Sequence, residues 1–182
     1  MRLNILHGGR PERLANIQEQ LEVQGIEDFE IWSGLHDKNS IVRTINISHK
    51  QIVEYSQLKG DEMVCIAEDD FLMTHPNSFA YFMQNLPKSF NVYLGGCYIP
   101  NFQNNQLISW AGLHLYIVHK NFYDTFLSLP EDEHLDRAMA GLGNFHLCNP
   151  MVAIQMNGFS SNTNKQENYD HLLNGQLLYK GN

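Results

Sequence analysis

Positive charge and long apolar runs are both scarce in this chain of 182 residues. Lys and Arg number 12 against 20 Asp and Glu, and the formal net charge is −8. Nonspecific nucleic-acid binding needs a basic face, so the composition argues against that class. No apolar run approaches the length of about 18 residues that a membrane span needs, and no signal-peptide core follows the first residues. We therefore expect a cytoplasmic protein without a transmembrane segment, with peripheral membrane contact as an open alternative.

Cysteines and several common catalytic motifs are also rare or missing. The three cysteines, Cys65, Cys97 and Cys148, form no Cys-x-x-Cys pair. We expect buried free thiols rather than a disulfide framework or a metal centre. There is no phosphate-binding Gly-x-x-x-x-Gly-Lys-Ser/Thr and no Gly-x-Gly-x-x-Gly near the first strand. The Gly-x-Ser-x-Gly nucleophile elbow is missing too, and the histidines show no metal-ligand spacing.

The first third of the chain has a strand–helix–strand pattern. Residues 3–6 predict a strand, Pro11 and Gly25 bound a helix, and residues 29–32 predict a second strand. Such a unit favours a parallel sheet. We predict one compact α/β domain over residues 1–160, with a mainly parallel central sheet flanked by helices. A polar C-terminal tail over residues 161–182 follows it.

The later helices and strands are predicted from helix-capping residues and from the spacing of apolar residues. A capping-box pattern places the start of a helix at Ser48, and Gly60 ends that helix. Residues 99–106 predict a loop, and residues 109–118 predict one long strand. Short helices are expected over residues 122–129 and 131–142, before two late strands.

The most informative segment is a short apolar run that ends in three consecutive carboxylates, Glu68, Asp69 and Asp70. The run predicts a buried strand, and ligands bind at the carboxyl ends of strands in open α/β sheets. Adjacent anions are costly unless something positive neutralises them. Strand alternation would place Glu68 and Asp70 on one side and Asp69 on the other. Hard carboxylate oxygens suit Mg²⁺ or Mn²⁺ with substrate phosphates, and the alternative is a solvated turn or a helix cap.

In its order of motifs the chain resembles glycosyltransferase family 25, the lipooligosaccharide galactosyltransferase-like proteins. The resemblance spans roughly residues 2–163. It is carried by Arg10-Pro11-Glu12-Arg13, Ser48-His49, the run from Val64 to Asp70, the run from Gly112 to Val118, His134-Leu135-Asp136, the run from Pro150 to Gln155, and Ser160-Ser161. It implies a GT-A-like fold and a lipopolysaccharide-biosynthesis enzyme. Such an enzyme transfers a hexose, galactose in the first instance, from a UDP-sugar donor to a glycan or lipooligosaccharide acceptor, with inversion at the anomeric carbon.

The resemblance also assigns roles at the acidic motif. Asp70 is expected to bind the Mn²⁺ or Mg²⁺ ion, and Glu68 and Asp69 to complete its shell or contact the ribose of the donor. Arg10 and Arg13 would reach the donor phosphates. His49 either faces the donor or has a structural role.

For the catalytic base the first choice is Asp136, which the resemblance also allows as a metal ligand, and the rival is His134. Two other functions stay open. One is a catalytically inactive relative that binds a nucleotide sugar, and the other is a metal-dependent phosphohydrolase.

Overall fold

The computed structural model describes residues 1–35, 40–160, 163–173 and 175–181. Its first half alternates strands and helices, as predicted. The elements in chain order are β1 (Leu3–His7), α1 (Pro11–Gln24), β2 (Phe29–Ser33), α2 (Ile41–Lys59), β3 (Met63–Glu68), β4 (Phe71–Met73) and α3 (Ser78–Gln84).

The second half is richer in short strands. It contains β5 (Val92–Leu94), β6 (Tyr98–Gln103), β7 (Gln106–Ala111), β8 (Leu115–His119), α4 (Tyr123–Ser128), α5 (Leu135–Ala138), β9 (Phe145–Leu147), β10 (Ala153–Gln155), β11 (Gly158–Ser160) and β12 (Lys165–Glu167). No helix among the described residues combines the length and the apolarity needed to cross a membrane.

Helix ends follow local sequence signals closely, with one exception. Pro11 occupies the first turn of α1, and Gly25 and Gly60 end α1 and α2 with φ angles of 62° and 76°. This left-handed conformation favours glycine. The predicted start of the second helix at Ser48 is wrong, because α2 begins at Ile41. Ser48 is buried inside the helix, where its hydroxyl donates to the carbonyl of Thr44 four residues earlier.

The central sheet is mixed, which corrects the prediction of a mainly parallel sheet. Eight strands lie in the order β2-β1-β3-β8-β5-β9-β7-β6. β1 is parallel to β2 and β3, and β5 is parallel to β9. β8 runs antiparallel to both β3 and β5, and β7 runs antiparallel to β6 and β9. Residues 95–114, between β5 and β8, contain the β6–β7 hairpin and no helix, whereas parallel neighbours are usually joined by a crossover helix.

That hairpin replaces the predicted loop over residues 99–106. β6 and β7 pair around Asn104 and Asn105, whose φ angles of 52° and 64° fit the positive φ values that a two-residue hairpin turn requires. The predicted strand over residues 109–118 is likewise divided. Gly112, with a φ angle of 90°, separates β7 from β8.

Buried side chains fill both faces of the sheet. On one face Ile66 and Tyr116 pack with α2 and α4, and on the other Cys65 and Tyr93 pack with α1 and α3. All three cysteines are buried free thiols, as predicted. In the C-terminal segment, Tyr179 is buried and stacks on Tyr81 with ring centroids 4.3 Å apart. Ser161, which belongs to the Ser160-Ser161 motif, lies outside the described residues.

Candidate functional site

The three carboxylates lie at one edge of the sheet, where the parallel strands β1 and β3 end. β3 ends at Glu68, and Asp69 and Asp70 form the turn before β4. The side-chain amide of Asn16, on α1, donates to the carbonyls of Asp69 at 3.1 Å and Phe71 at 3.0 Å. Helix α1 therefore holds the acidic turn against the sheet.

A cavity of about 410 Å³ opens beside this turn. All three carboxylates line it, together with Arg10, Arg13 and His49. Asp69 was expected on the opposite side, but strand alternation ends with β3, and the turn brings Asp69 into the same cavity. The rest of the lining comes from the ends of β1 and β2, the first half of α2, and the residues near β10 and β11: Leu6, His7, Gly8, Gly34, Leu35, Ile41, Thr44, Ile45, Ser48, Gln155, Phe159 and Ser160.

Asp69 is held by the end of β1. Its Oδ2 accepts from Nδ1 of His7 at 3.0 Å and from the backbone N–H of Gly8 at 2.7 Å. Sequence reasoning did not assign a role to His7. A polar residue at the carboxyl end of the neighbouring parallel strand is the signal that could have indicated one.

Asp70 carries a resident ion pair. Its Oδ2 accepts from the side-chain amide of Gln155 at 2.9 Å and lies 3.1 Å from Nη1 of Arg13. The Arg13 side chain is only 7% exposed. Neither Nη1 of Arg13 nor Oδ1 of Asp70, both buried, has a hydrogen-bond partner among the described residues. The two charges are therefore close in distance but are not locked together by a hydrogen bond. Gln155, part of the motif near β10, was not predicted to be a site residue.

Glu68 ends a buried chain of hydrogen bonds. Its Oε1 lies 3.2 Å from Nε2 of His49, and Nδ1 of His49 lies 2.6 Å from the hydroxyl of Tyr116. Burial raises the pKa of Tyr116 well above its usual value, so its hydroxyl keeps its proton and can donate to Nδ1. Nε2–H of His49 can then donate to Glu68. His49 thus contacts the acidic motif directly and is itself buried.

The charge state of Glu68 follows from opposing effects. Burial raises the pKa of its carboxyl group, but the hydrogen bond from His49 and nearby positive charge outweigh burial, and the net pKa lies below its usual value. Glu68 is therefore a carboxylate at neutral pH, and it supplies an oxygen ligand to the cavity.

The two arginines converge on the carbonyl of Phe159. Arg10 donates to it from Nη1 at 2.7 Å, and Arg13 donates from Nη2 at 3.3 Å. The Arg10 guanidinium also lies 4.7 Å from the centre of the Phe159 ring. Both predicted phosphate ligands therefore lie at the same cavity as the carboxylates.

Asp136 and His134 are not among the residues that line the cavity. Asp136 lies in α5, and its carboxylate accepts from the backbone N–H groups of Gly112 at 2.7 Å and Arg137 at 2.9 Å. Gly112 precedes His114, whose carbonyl accepts from the N–H of Glu68 at 3.1 Å. Asp136 and Glu68 thus both bond to the backbone of residues 112–114, and the predicted role of Asp136 as base stays a prediction.

The buried His114 makes the unfolding free energy of the protein depend on pH. The side chain is 1% exposed, and burial lowers its pKa from 6.5 to about 4. Between these values the unfolded chain binds the proton that the folded protein excludes, so folded stability falls as pH falls. We expect His114 to contribute a loss of about 3 kcal/mol on acidification through this window.

Urea unfolding of the wild type and of His114→Gln at several pH values measures this loss. The variant should show a shallower fall in unfolding free energy, whereas the exposed His171→Gln control should follow the wild type. Identical slopes for wild type and His114→Gln would contradict the assignment.

The chemistry of the donor groups fits a divalent cation that is also held by a ligand. Glu68 and Asp70 offer hard carboxylate oxygens to one cavity, and Oδ1 of Asp70 is a buried oxygen without a hydrogen-bond partner in the described part of the chain. Within the described residues, no three His, Cys, Asp or Glu side chains gather as a complete metal site. Mg²⁺ is commonly held by one or two carboxylates plus substrate phosphates, and this pair of residues suits that arrangement.

No family model matches the sequence, and no curated protein matches it significantly. Solved structures do match. A197 from STIV superposes with a TM-score of 0.57 at 12% identity, over 100% of this chain and 97% of that chain. A glycosyltransferase involved in the glycosylation of the major capsid of PBCV-1 gives 0.53 at 10% identity, over 90% and 95%. A Bacillus anthracis protein assigned as a glucose-1-phosphate thymidylyltransferase, in complex with a sucrose, gives 0.50 at 13% identity, over 81% and 86%.

At these identities the likeness concerns the fold. The chain has a mixed α/β fold similar to that of glycosyltransferases and nucleotidyltransferases. The predicted likeness to a glycosyltransferase fold is confirmed at this level, whereas the mainly parallel sheet is not. Membership of family 25 stays a prediction.

Proposed function

We propose that the protein is a glycosyltransferase that uses a nucleotide sugar together with a divalent cation. The observation that carries this proposal is the meeting, in one cavity, of Glu68, Asp69 and Asp70 with the guanidinium groups of Arg10 and Arg13. Carboxylates attract a cation, and guanidinium groups suit phosphate oxygens. A diphosphate that carries a cation satisfies both sets at once. The fold supports the same class, because it is similar to that of a known glycosyltransferase.

The finer parts of the proposal come from the family resemblance. They are UDP-galactose as donor, a glycan or lipooligosaccharide as acceptor, inversion at the anomeric carbon, and Mn²⁺ or Mg²⁺ as cation. The cytoplasmic location is proposed from the sequence composition and not from the resemblance.

In the proposed mechanism Asp70 and Glu68 would hold the cation, which when bound neutralises charge on the departing nucleotide diphosphate. His49 orients Glu68, and His7 with the Gly8 amide orients Asp69. Arg10 and Arg13 bind phosphate oxygens and fix the donor beside the acidic turn.

Inversion also needs a base that takes the proton of the acceptor hydroxyl. Asp136, with His134 as its rival, is proposed for this step. Both lie outside the cavity lining, so the acceptor would have to approach from the side of α5.

The test is a release assay with a panel of nucleotide sugars, Mn²⁺ or Mg²⁺, and glycan acceptors. We expect free nucleoside diphosphate to form with one donor, and its formation to increase when the correct acceptor is added. Release of inorganic phosphate from simple phosphoesters would instead indicate a phosphohydrolase. Binding of a nucleotide sugar without release of nucleoside diphosphate would indicate an inactive relative. Pyrophosphate formed from a nucleoside triphosphate and a sugar 1-phosphate would indicate a nucleotidyltransferase, the class to which the Bacillus anthracis neighbour is assigned.

A further inference from the structure

We infer that Arg13 is a resident counter-ion of Asp70, and that a ligand phosphate must draw it away before Asp70 binds a divalent cation strongly. Cation and nucleoside diphosphate then bind cooperatively. The inference rests on the proposed function, because it takes the same cavity as the donor site.

Burial is the first reason for this inference. The side chains of Asp70 and Arg13 are 12% and 7% exposed. A buried carboxylate is strongly unfavourable without a partner. Arg13 supplies the compensating charge, with its Nη1 at 3.1 Å from Oδ2 of Asp70.

The second reason is that this pair is incompletely bonded. Nη1 of Arg13 and Oδ1 of Asp70 have no hydrogen-bond partner in the described part of the chain, and Nη2 makes only a long contact, 3.3 Å, to the carbonyl of Phe159. A phosphate oxygen offers a guanidinium shorter and stronger charge-assisted hydrogen bonds. The side chain can therefore exchange its partner at little cost.

Transfer of Arg13 to a phosphate and binding of the cation by Asp70 favour one another. A cation that arrives alone meets a carboxylate already neutralised by Arg13 and is repelled by the guanidinium charge. A phosphate removes that competitor, and the cation in turn removes the carboxylate that holds Arg13. By linkage, UDP should raise the affinity for the cation by the same factor by which the cation raises the affinity for UDP.

The experiment is a titration of the full chain with Mn²⁺, with free Mn²⁺ followed by electron paramagnetic resonance, in the absence and presence of UDP. The Mn²⁺ that UDP binds by itself is measured without protein and subtracted. For the wild type we expect UDP to tighten Mn²⁺ binding about tenfold or more. For Arg13→Gln we expect Mn²⁺ alone to bind about tenfold more tightly than to the wild type, and the effect of UDP to shrink correspondingly.

Arg10→Gln is the matched control. It removes the same charge from the same cavity, but the ion pair with Asp70 in the described part of the chain is made by Arg13, whereas Arg10 donates to the carbonyl of Phe159. We expect it to weaken UDP binding while the coupling between UDP and Mn²⁺ persists. In a protein that already carries Asp70→Asn, adding Arg13→Gln should no longer change the Mn²⁺ affinity. Circular dichroism and the urea midpoint check that each variant folds.

Unchanged or weaker Mn²⁺ binding by a folded Arg13→Gln variant overturns the inference. So does equal Mn²⁺ affinity of the wild type with and without UDP when a direct titration shows that UDP is bound to the protein, a measurement that needs no variant. Failure of the proposed function looks different. In that case no nucleotide sugar is consumed and UDP does not bind in the presence of Mn²⁺, while the comparison with Mn²⁺ alone still decides whether Arg13 competes for Asp70.

Discussion

Asp70→Asn is expected to lower cation-dependent nucleotide release by about 10²- to 10³-fold, the usual cost of losing one preorganised electrostatic group at a reacting centre. The substitution keeps the shape of the side chain but removes its charge. In the wild type Gln155 donates to Oδ2 of Asp70 at 2.9 Å, and an asparagine side chain still fits there. The asparagine amide is, however, a poor ligand for a hard cation. Steady-state release of nucleoside diphosphate, measured with and without acceptor over a range of Mn²⁺ concentrations, determines the effect.

Asp124→Asn makes the same chemical change on the exposed surface of α4, where the carboxylate accepts a hydrogen bond from Gln57. It should leave release within about twofold of the wild type, as expected for a surface position away from the site. If Asp70→Asn retained full release at every Mn²⁺ concentration, the acidic turn would not be the cation site.

Phe82→Ala is expected to destabilise the fold by about 3–5 kcal/mol. Phe82, on α3, is fully buried, and its ring stacks on Tyr93 of β5 with centroids 4.6 Å apart. Truncation removes that contact and leaves a cavity in the layer that also contains Cys65 of β3. Urea unfolding followed by tryptophan fluorescence and circular dichroism gives the change in unfolding free energy.

Leu58→Ala provides the control for this truncation. Leu58 lies on α2 with 82% of its surface exposed, so its loss should change the unfolding free energy by less than about 0.5 kcal/mol. A similar small effect for Phe82→Ala would show that α3 does not pack on the sheet as described. Because Phe82 does not line the cavity, activity of the folded fraction should be retained.

Much of the first half of the fold could be predicted because its signals are local. Pro11, Gly25 and Gly60 mark helix ends through backbone preferences that do not depend on distant residues. The failure at Ser48 shows the limit of such signals. A serine that suits a helix cap also suits a helix interior when its hydroxyl bonds the carbonyl one turn earlier.

Strand direction was less predictable, because it depends on pairing between distant segments. β8 joins β3 and β5 in an antiparallel arrangement that no local pattern distinguishes from a parallel one. The hairpin before it did leave a signal, the adjacent Asn104 and Asn105, since asparagine tolerates the positive φ values of a tight turn.

The candidate site divides in the same way. Local sequence patterns predict that three carboxylates end a buried strand and that two arginines lie at the start of the first helix, because strand burial and helix starts depend on residues a few positions apart. Which groups contact these charges depends on the tertiary structure, because the partners come from distant parts of the chain. Asp70 accepts a hydrogen bond from Gln155, which is 85 residues away in the sequence. Glu68 contacts His49, which in turn contacts Tyr116. Asp69 contacts His7. Those contacts follow from the order of strands in the mixed sheet and from the packing of α1 and α2 beside it, and both are set by burial of the whole core.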